Sequence, residues 1–133
     1  MTQTAKGTFT VQMKPDGDPA SAEGVSLGRM LLNKAFEGDL AGTAAGQMLT
    51  AMTPVPESAG YVAIERVTGA LHGKKGSFAL QHTGTMTRGE QSLSITVVPD
   101  SGTGELAGIS GVFRLRIEDK KHHYELEYSL RKE

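Results

Sequence analysis

Residues 59–87, AGYVAIERVTGALHGKKGSFALQHTGTMT, decide the fold. Two runs of alternating character flank the segment Gly73-Lys74-Lys75-Gly76, and an alternation of period two is the pattern of a half-buried strand. One face carries Tyr61, Ala63, Glu65, Val67, Gly69 and Leu71, followed by Phe78, Leu80, His82, Gly84 and Met86. It is apolar except for Glu65 and His82. The other face carries Arg66, Thr68, His72, Ser77, Gln81, Thr83 and Thr85, which suit solvent. A symmetric hairpin about residues 73–76 predicts Leu71 across from Phe78, Gly69 across from Leu80, Val67 across from His82 and Glu65 across from Gly84. Glu65 and His82 then sit on a cross-strand diagonal of about 7–8 Å, within reach of both side chains. A carboxylate and an imidazole on an inner face must pair, bind something or do chemistry.

The same period extends outward from this hairpin. Lys6 to Lys14 places Phe9, Val11 and Met13 on one side and Thr8, Thr10 and Gln12 on the other. Residues 15–24, PDGDPASAEG, read as a loop or cap over one end, because two prolines and two glycines interrupt any ladder. Residues 25–37 and 40–53 flank a Gly38-Asp39 turn. Met30, Leu31 and Leu32 admit a short amphipathic helix, but Gly42, Gly46 and the nearby threonines favour strand. Gln91 to Pro99 alternates Leu93, Ile95 and Val97 with Ser92, Ser94 and Thr96. Asp100 to Gly111 is a glycine-rich connection. Val112 to Asp119 and His123 to Leu130 make a last hairpin around Lys120-Lys121, predicting Phe113 with Tyr128, Leu115 with Leu126 and Ile117 with Tyr124. Its outer face sets Arg114, Arg116 and Glu118 against Glu125 and Glu127, a ladder of mixed charge that marks solvent. The sum is eight strands, no major helix, and an all-β, antiparallel closed barrel formed by a single domain over 1–133 with a tail at 131–133. Closure removes the exposed edges that such strands otherwise present.

Composition narrows the function classes. The net charge of −1 is scattered along the chain, so neither a nucleic-acid nor an anionic-membrane footprint is present. With no cysteine, disulfides, thiolate zinc sites and cysteine nucleophiles are excluded. The amino terminus lacks a basic stretch followed by an apolar one, which points to a cytoplasmic location. The 17 glycines recur at intervals suited to turns.

Other motifs lose their chemical meaning in context. Gly102-Thr103-Gly104-Glu105-Leu106-Ala107 imitates a dinucleotide fingerprint, but a strand follows it instead of the long helix whose amino end would hold a pyrophosphate. His122 and His123 are neighbours in a strand and point to opposite faces, which suits a surface turn better than one metal ion. His72 reads as solvated on the outer face. Ser77 and Ser110 lack the setting of a nucleophile elbow. No metal site and no cofactor is expected.

The segments YVAIERVTGALHGKKGSFALQHTGTM, ITVVPDSGTGELAGISG and YELEYSL resemble a family of small bacterial proteins known as a domain of unknown function. The resemblance spans Gly7 to Leu130 and implies a compact barrel similar to those of the allene oxide cyclase kind. Plant cyclases of that kind steer ring closure of a fatty-acid epoxide in the lumen, although shared architecture does not transfer chemistry. Three readings follow. The first is a small, largely apolar ligand held in the lumen by Glu65, His82, Tyr61, Phe78, Ile95, Phe113, Tyr124 and Tyr128. The second is a cofactor-independent isomerase or cyclase with Glu65 and His82 as candidate catalytic residues. In the third the barrel is filled and its outer face serves self-association into a homo-oligomer, with Gly42, Ala44 and Gly46 permitting close approach.

Overall fold

The computed structural model describes residues 2–130, so the expected tail at 131–133 lies outside the described residues. The central hairpin is built from β5 (Ala59–Leu71) and β6 (Lys74–Thr87). Its turn is His72-Gly73, with φ of 48° and 82°, and not the four residues 73–76. Two consecutive residues at positive φ give a turn whose twist matches that of the strands it joins, so Lys74, Lys75 and Gly76 are released into the ladder. The register moves accordingly: Val67 faces Phe78, Glu65 faces Leu80, Ala63 faces His82 and Tyr61 faces Gly84. This displacement is four residues along β6 relative to the symmetric expectation. An even displacement leaves every side chain on its face, and Glu65 and His82 remain diagonal neighbours.

The other strands are β1 (Gln3–Pro15), β2 (Ala20–Ala22), β3 (Val25–Gly38), β4 (Leu40–Met52), β7 (Glu90–Val97), β8 (Ile109–Glu118) and β9 (Lys121–Leu130). They form one antiparallel sheet in the order β1-β9-β8-β7-β6-β5-β4-β3-β2, and a further pairing of β1 with β3 closes it into an eight-stranded barrel. Long β1 makes closure possible by serving two partners. Its first half pairs with β9 from Gln3 to Phe9, and its second half pairs with β3 from Gly7 to Pro15. The seam between β7 and β8 is the thinnest, with the single ladder pair Thr96 and Val112.

Two expectations are corrected here. The segment 15–24 is not wholly loop, because Ala20–Ala22 adds β2 to the edge of β3 opposite Val25–Leu27. The last hairpin turns at Asp119-Lys120, both at positive φ, so Phe113 faces Leu126, Leu115 faces Tyr124 and Ile117 faces His122. The charged outer face survives this change, with Arg114 and Glu127 at 3.1 Å.

The lumen is packed at one end. Phe36, Phe113 and Tyr124 stack and cross at centroid distances of 5.7–6.1 Å, and Phe9 joins them at 5.4 Å from Phe36. Tyr124 also ties down the β3–β4 turn, since its hydroxyl accepts the Leu40 N–H at 2.8 Å and lies 3.0 Å from the Glu37 carbonyl. A single 3-10 turn, Gly104–Leu106, folds over this end and inserts the buried Leu106 beside Phe78 and Ile109. Gly42, Ala44 and Gly46 share the inward face of β4 with buried Leu40, so they do not form the outer self-association surface that their size suggests. Among the described residues no helix is long and apolar enough to cross a membrane.

Truncation should therefore be felt unequally at the two ends. Phe78→Ala, in the packed end, is expected to lower unfolding free energy by about 3–5 kcal/mol. Met52→Ala, at the other end and 56% exposed, should change it by less than about 0.5 kcal/mol. Urea unfolding of the two variants measures the contrast, and similar losses would contradict the asymmetry.

Candidate functional site

Three strands bring three charged or titratable side chains together beneath the open end. Glu65 comes from the middle of β5, His82 from β6, and Lys34 from β3. β4 lies between β3 and β5, with Ala44 opposite Lys34 and Gly46 opposite Glu65. Lys34 must pass over β4 to reach the carboxylate, and only small inward side chains leave it room. A Cβ added at Gly46 would lie 2.6 Å from the Cβ of Glu65, closer than two carbons approach. Lys34 is the member of this buried group that sequence reasoning missed. The available signal was its parity, since Lys34 shares an inward face with buried Leu32 and Phe36.

The Lys34 ammonium stands 2.8 Å from Oε2 of Glu65, and Nε2 of His82 hydrogen-bonds the same oxygen. Oε1 is buried with no hydrogen-bond partner among the described residues. Nζ of Lys34 also sits 5.3 Å from the centre of the Phe9 ring, a cation–π placement. Burial by itself would raise the Glu65 pKa. The His82 hydrogen bond and the Lys34 charge outweigh it, and the carboxyl is held below its ordinary value. Glu65 is therefore an ionised carboxylate whose desolvation is offset by two donors. Tyr61 is held above the ordinary phenol value, first by burial and then by the negative charge of Glu65. Its ring lies across Gly84, where a Cβ would come within 2.4 Å of it.

Above this group opens a cavity of about 430 Å³. Lys34 and His82 contribute to its floor, Phe9, Leu32, Met48, Tyr61 and Leu115 to its walls, and Met52, Leu93 and Ile117 to its mouth. Of the residues expected to line a lumen site, Tyr61 and His82 do so, and Glu65 lies directly behind His82 and Lys34. Phe78, Ile95, Phe113, Tyr124 and Tyr128 do not line it. They belong to the buried core cluster, to which Leu106 of the 3-10 turn contributes, with Ile95 level with His82 on the neighbouring strand.

Two histidines also change their meaning. His122 is not simply part of a surface turn: it lies against Phe9 at 5.1 Å and borders the cavity. Its shared parity with Tyr124, Leu126 and Tyr128 carried that information. His72 is tethered instead of freely solvated, with Nδ1 bonded to the Tyr128 hydroxyl and Nε2 3.6 Å from Asp39. Among the described residues no three His, Cys, Asp or Glu side chains gather as a metal cluster would require.

Fold and site together define a small antiparallel barrel, packed at one end and open at the other, with a buried charged group between the two. The chain belongs to the family described as a protein of unknown function (DUF3224), whose model matches residues 5–128. It is also similar to a solved protein of unknown function from the same family in Shewanella oneidensis MR-1. The two share 46% identity and a TM-score of 0.95, with 100% of each chain covered. No curated protein matches the sequence.

The lowered Glu65 pKa sets a pH dependence. Its contribution to stability is complete above the ordinary carboxyl value near 4.5 and is lost as pH falls through the lower folded value. Glu65→Gln leaves Lys34 unpaired and should cost roughly 3–5 kcal/mol at pH 7. Because the wild-type carboxylate itself becomes protonated in acid, the difference between the two proteins should shrink as pH falls from about 4.5 towards the lower folded value. Denaturant midpoints recorded from pH 7 downward test this, and a constant difference would refute it.

Proposed function

We propose that the protein binds a small, largely apolar molecule in the open end of its barrel, with the Lys34, Glu65 and His82 group as a polar floor. The observation that carries this reading is the cavity of about 430 Å³, apolar along its walls and polar at one place. Binding sites for small molecules have this character: volumes of roughly 300–1,000 Å³, apolar lining and a few fixed polar groups that set orientation. Burying two charges and an imidazole costs several kcal/mol before their mutual attraction is counted. An apolar filling at these positions would have been the simpler route to stability alone. A second reading, a cofactor-independent isomerase or cyclase, draws on the Glu65–His82 contact, since a carboxylate that holds an imidazole fixes its tautomer and raises its basicity.

The two readings separate once a ligand is in hand. His82→Gln that keeps affinity but loses turnover argues for catalysis, whereas a parallel loss of affinity argues for anchoring. Binding itself is testable first with phenylnaphthylamine, a neutral dye that brightens in apolar surroundings. The wild type should bind it saturably at one site per chain. Met48→Trp, which fills the cavity from β4, should weaken binding by about tenfold or more while preserving cooperative unfolding. A wild type that leaves the dye dark, or a Met48→Trp variant that binds it equally well, would remove the lumen as the site.

A further inference from the structure

We infer that the cavity selects an apolar molecule bearing a hydroxyl donor, a phenol or an alcohol, whose O–H donates to Nδ1 of His82. This inference rests on the lumen-binding reading above and names the chemistry of its ligand.

The assignment follows from the hydrogen-bond direction on Glu65. An ionised carboxylate only accepts. Lys34 Nζ and His82 Nε2 both contact Oε2, so both donate, and a hydrogen must reside on Nε2. A second hydrogen on Nδ1 would make the ring a cation. The charges of Lys34 and Glu65 already cancel, and His82 is 3% exposed, so an added positive charge there would be buried and unbalanced. The ring is therefore neutral, and Nδ1 presents a lone pair.

That lone pair is available. Nδ1 makes no hydrogen bond among the described residues, and the ring of His82 borders the cavity. It is also not among the fully enclosed polar atoms without a partner, which among the described residues comprise Oε1 of Glu65 alone. A hydroxyl donor entering along the apolar walls satisfies this acceptor. An ether leaves it unsatisfied, and a buried acceptor without a partner weakens the complex. A carboxylate places negative charge against the lone pair and adds a charge that the balanced Lys34 and Glu65 pair does not cancel. Tyr61, 6.3 Å from His82 between ring centres, forms the adjacent wall and favours a flat ring at that place.

Three probes with one apolar body separate the possibilities: para-propylphenol, para-propylanisole and para-propylbenzoate, titrated calorimetrically at neutral pH. The phenol is expected to bind about tenfold tighter than the anisole, with the benzoate weakest. His82→Phe should abolish the preference, so that phenol and anisole no longer differ in affinity. A second readout uses the wild type alone and does not depend on the folding of that variant. The nitrogen NMR resonance of His82 Nδ1 should move on addition of the phenol and stay in place with the anisole. Equal and measurable affinity for phenol and anisole overturns the hydroxyl assignment and leaves the lumen reading standing. Tightest binding of the benzoate also overturns it, in favour of Lys34 as the reader of an acid. Failure of all three to bind overturns the inference, and overturns the lumen reading as well if phenylnaphthylamine stays unbound.

Discussion

A buried carboxylate has to be answered from elsewhere in the chain, and most of what distinguishes this barrel follows from that requirement at Glu65. Its partners come from two directions around the wall. His82 arrives from the neighbouring strand β6, whereas Lys34 arrives from β3, two strands away on the other side. The intervening strand must then be nearly bare, which is why β4 presents Ala44 and Gly46 inward at the crossing. One ionised oxygen thus couples three strands and dictates the side-chain size of a fourth.

The same group marks the boundary between two kinds of interior. On one side the aromatic rings of Phe36, Phe113 and Tyr124 and the inserted Leu106 pack into one buried cluster. On the other side, methionines, small residues and the rim of β7 and β8 leave the lumen open. An eight-stranded barrel is just wide enough either to be filled by its own side chains or to hold one small ligand. This one does the first at one end and has room for the second at the other. The polar floor also gives the open end a direction, since anything entering meets apolar walls first and hydrogen-bonding atoms last.

The legible part of the site was the part encoded by alternation. Glu65 and His82 stood out because each interrupts an apolar face, and period two survives even an incorrect turn: a shift of four residues changes who faces whom but not who faces inward. The same logic reached Lys34 only weakly. The run Met30-Leu31-Leu32 obscured the parity of its strand, and its partner lies two strands away, a relation that no local pattern expresses. His122 was overlooked for a related reason, since adjacent histidines near a turn resemble surface until the register of β9 is known. Phe78, Phe113, Tyr124 and Tyr128 were correctly placed inside, and the structure sets them in the buried cluster and not along the cavity, which Tyr61 does line. Which end of a barrel is plugged depends on where a connecting segment folds, and the glycines of residues 102–108 permitted several courses.

By itself, then, the sequence determined the fold class, the inward and outward faces of the strands, and the presence of a polar pair in an apolar interior. These are consequences of hydrophobic periodicity and turn chemistry, which act over a few residues. Only the tertiary structure decided the ladder registers, the closure of β1 onto both β3 and β9, the third member of the polar group, and the division of the lumen into a packed end and an open one. Those features depend on contacts between strands far apart in the chain, where the geometry of closure selects among partners that local patterns leave equivalent.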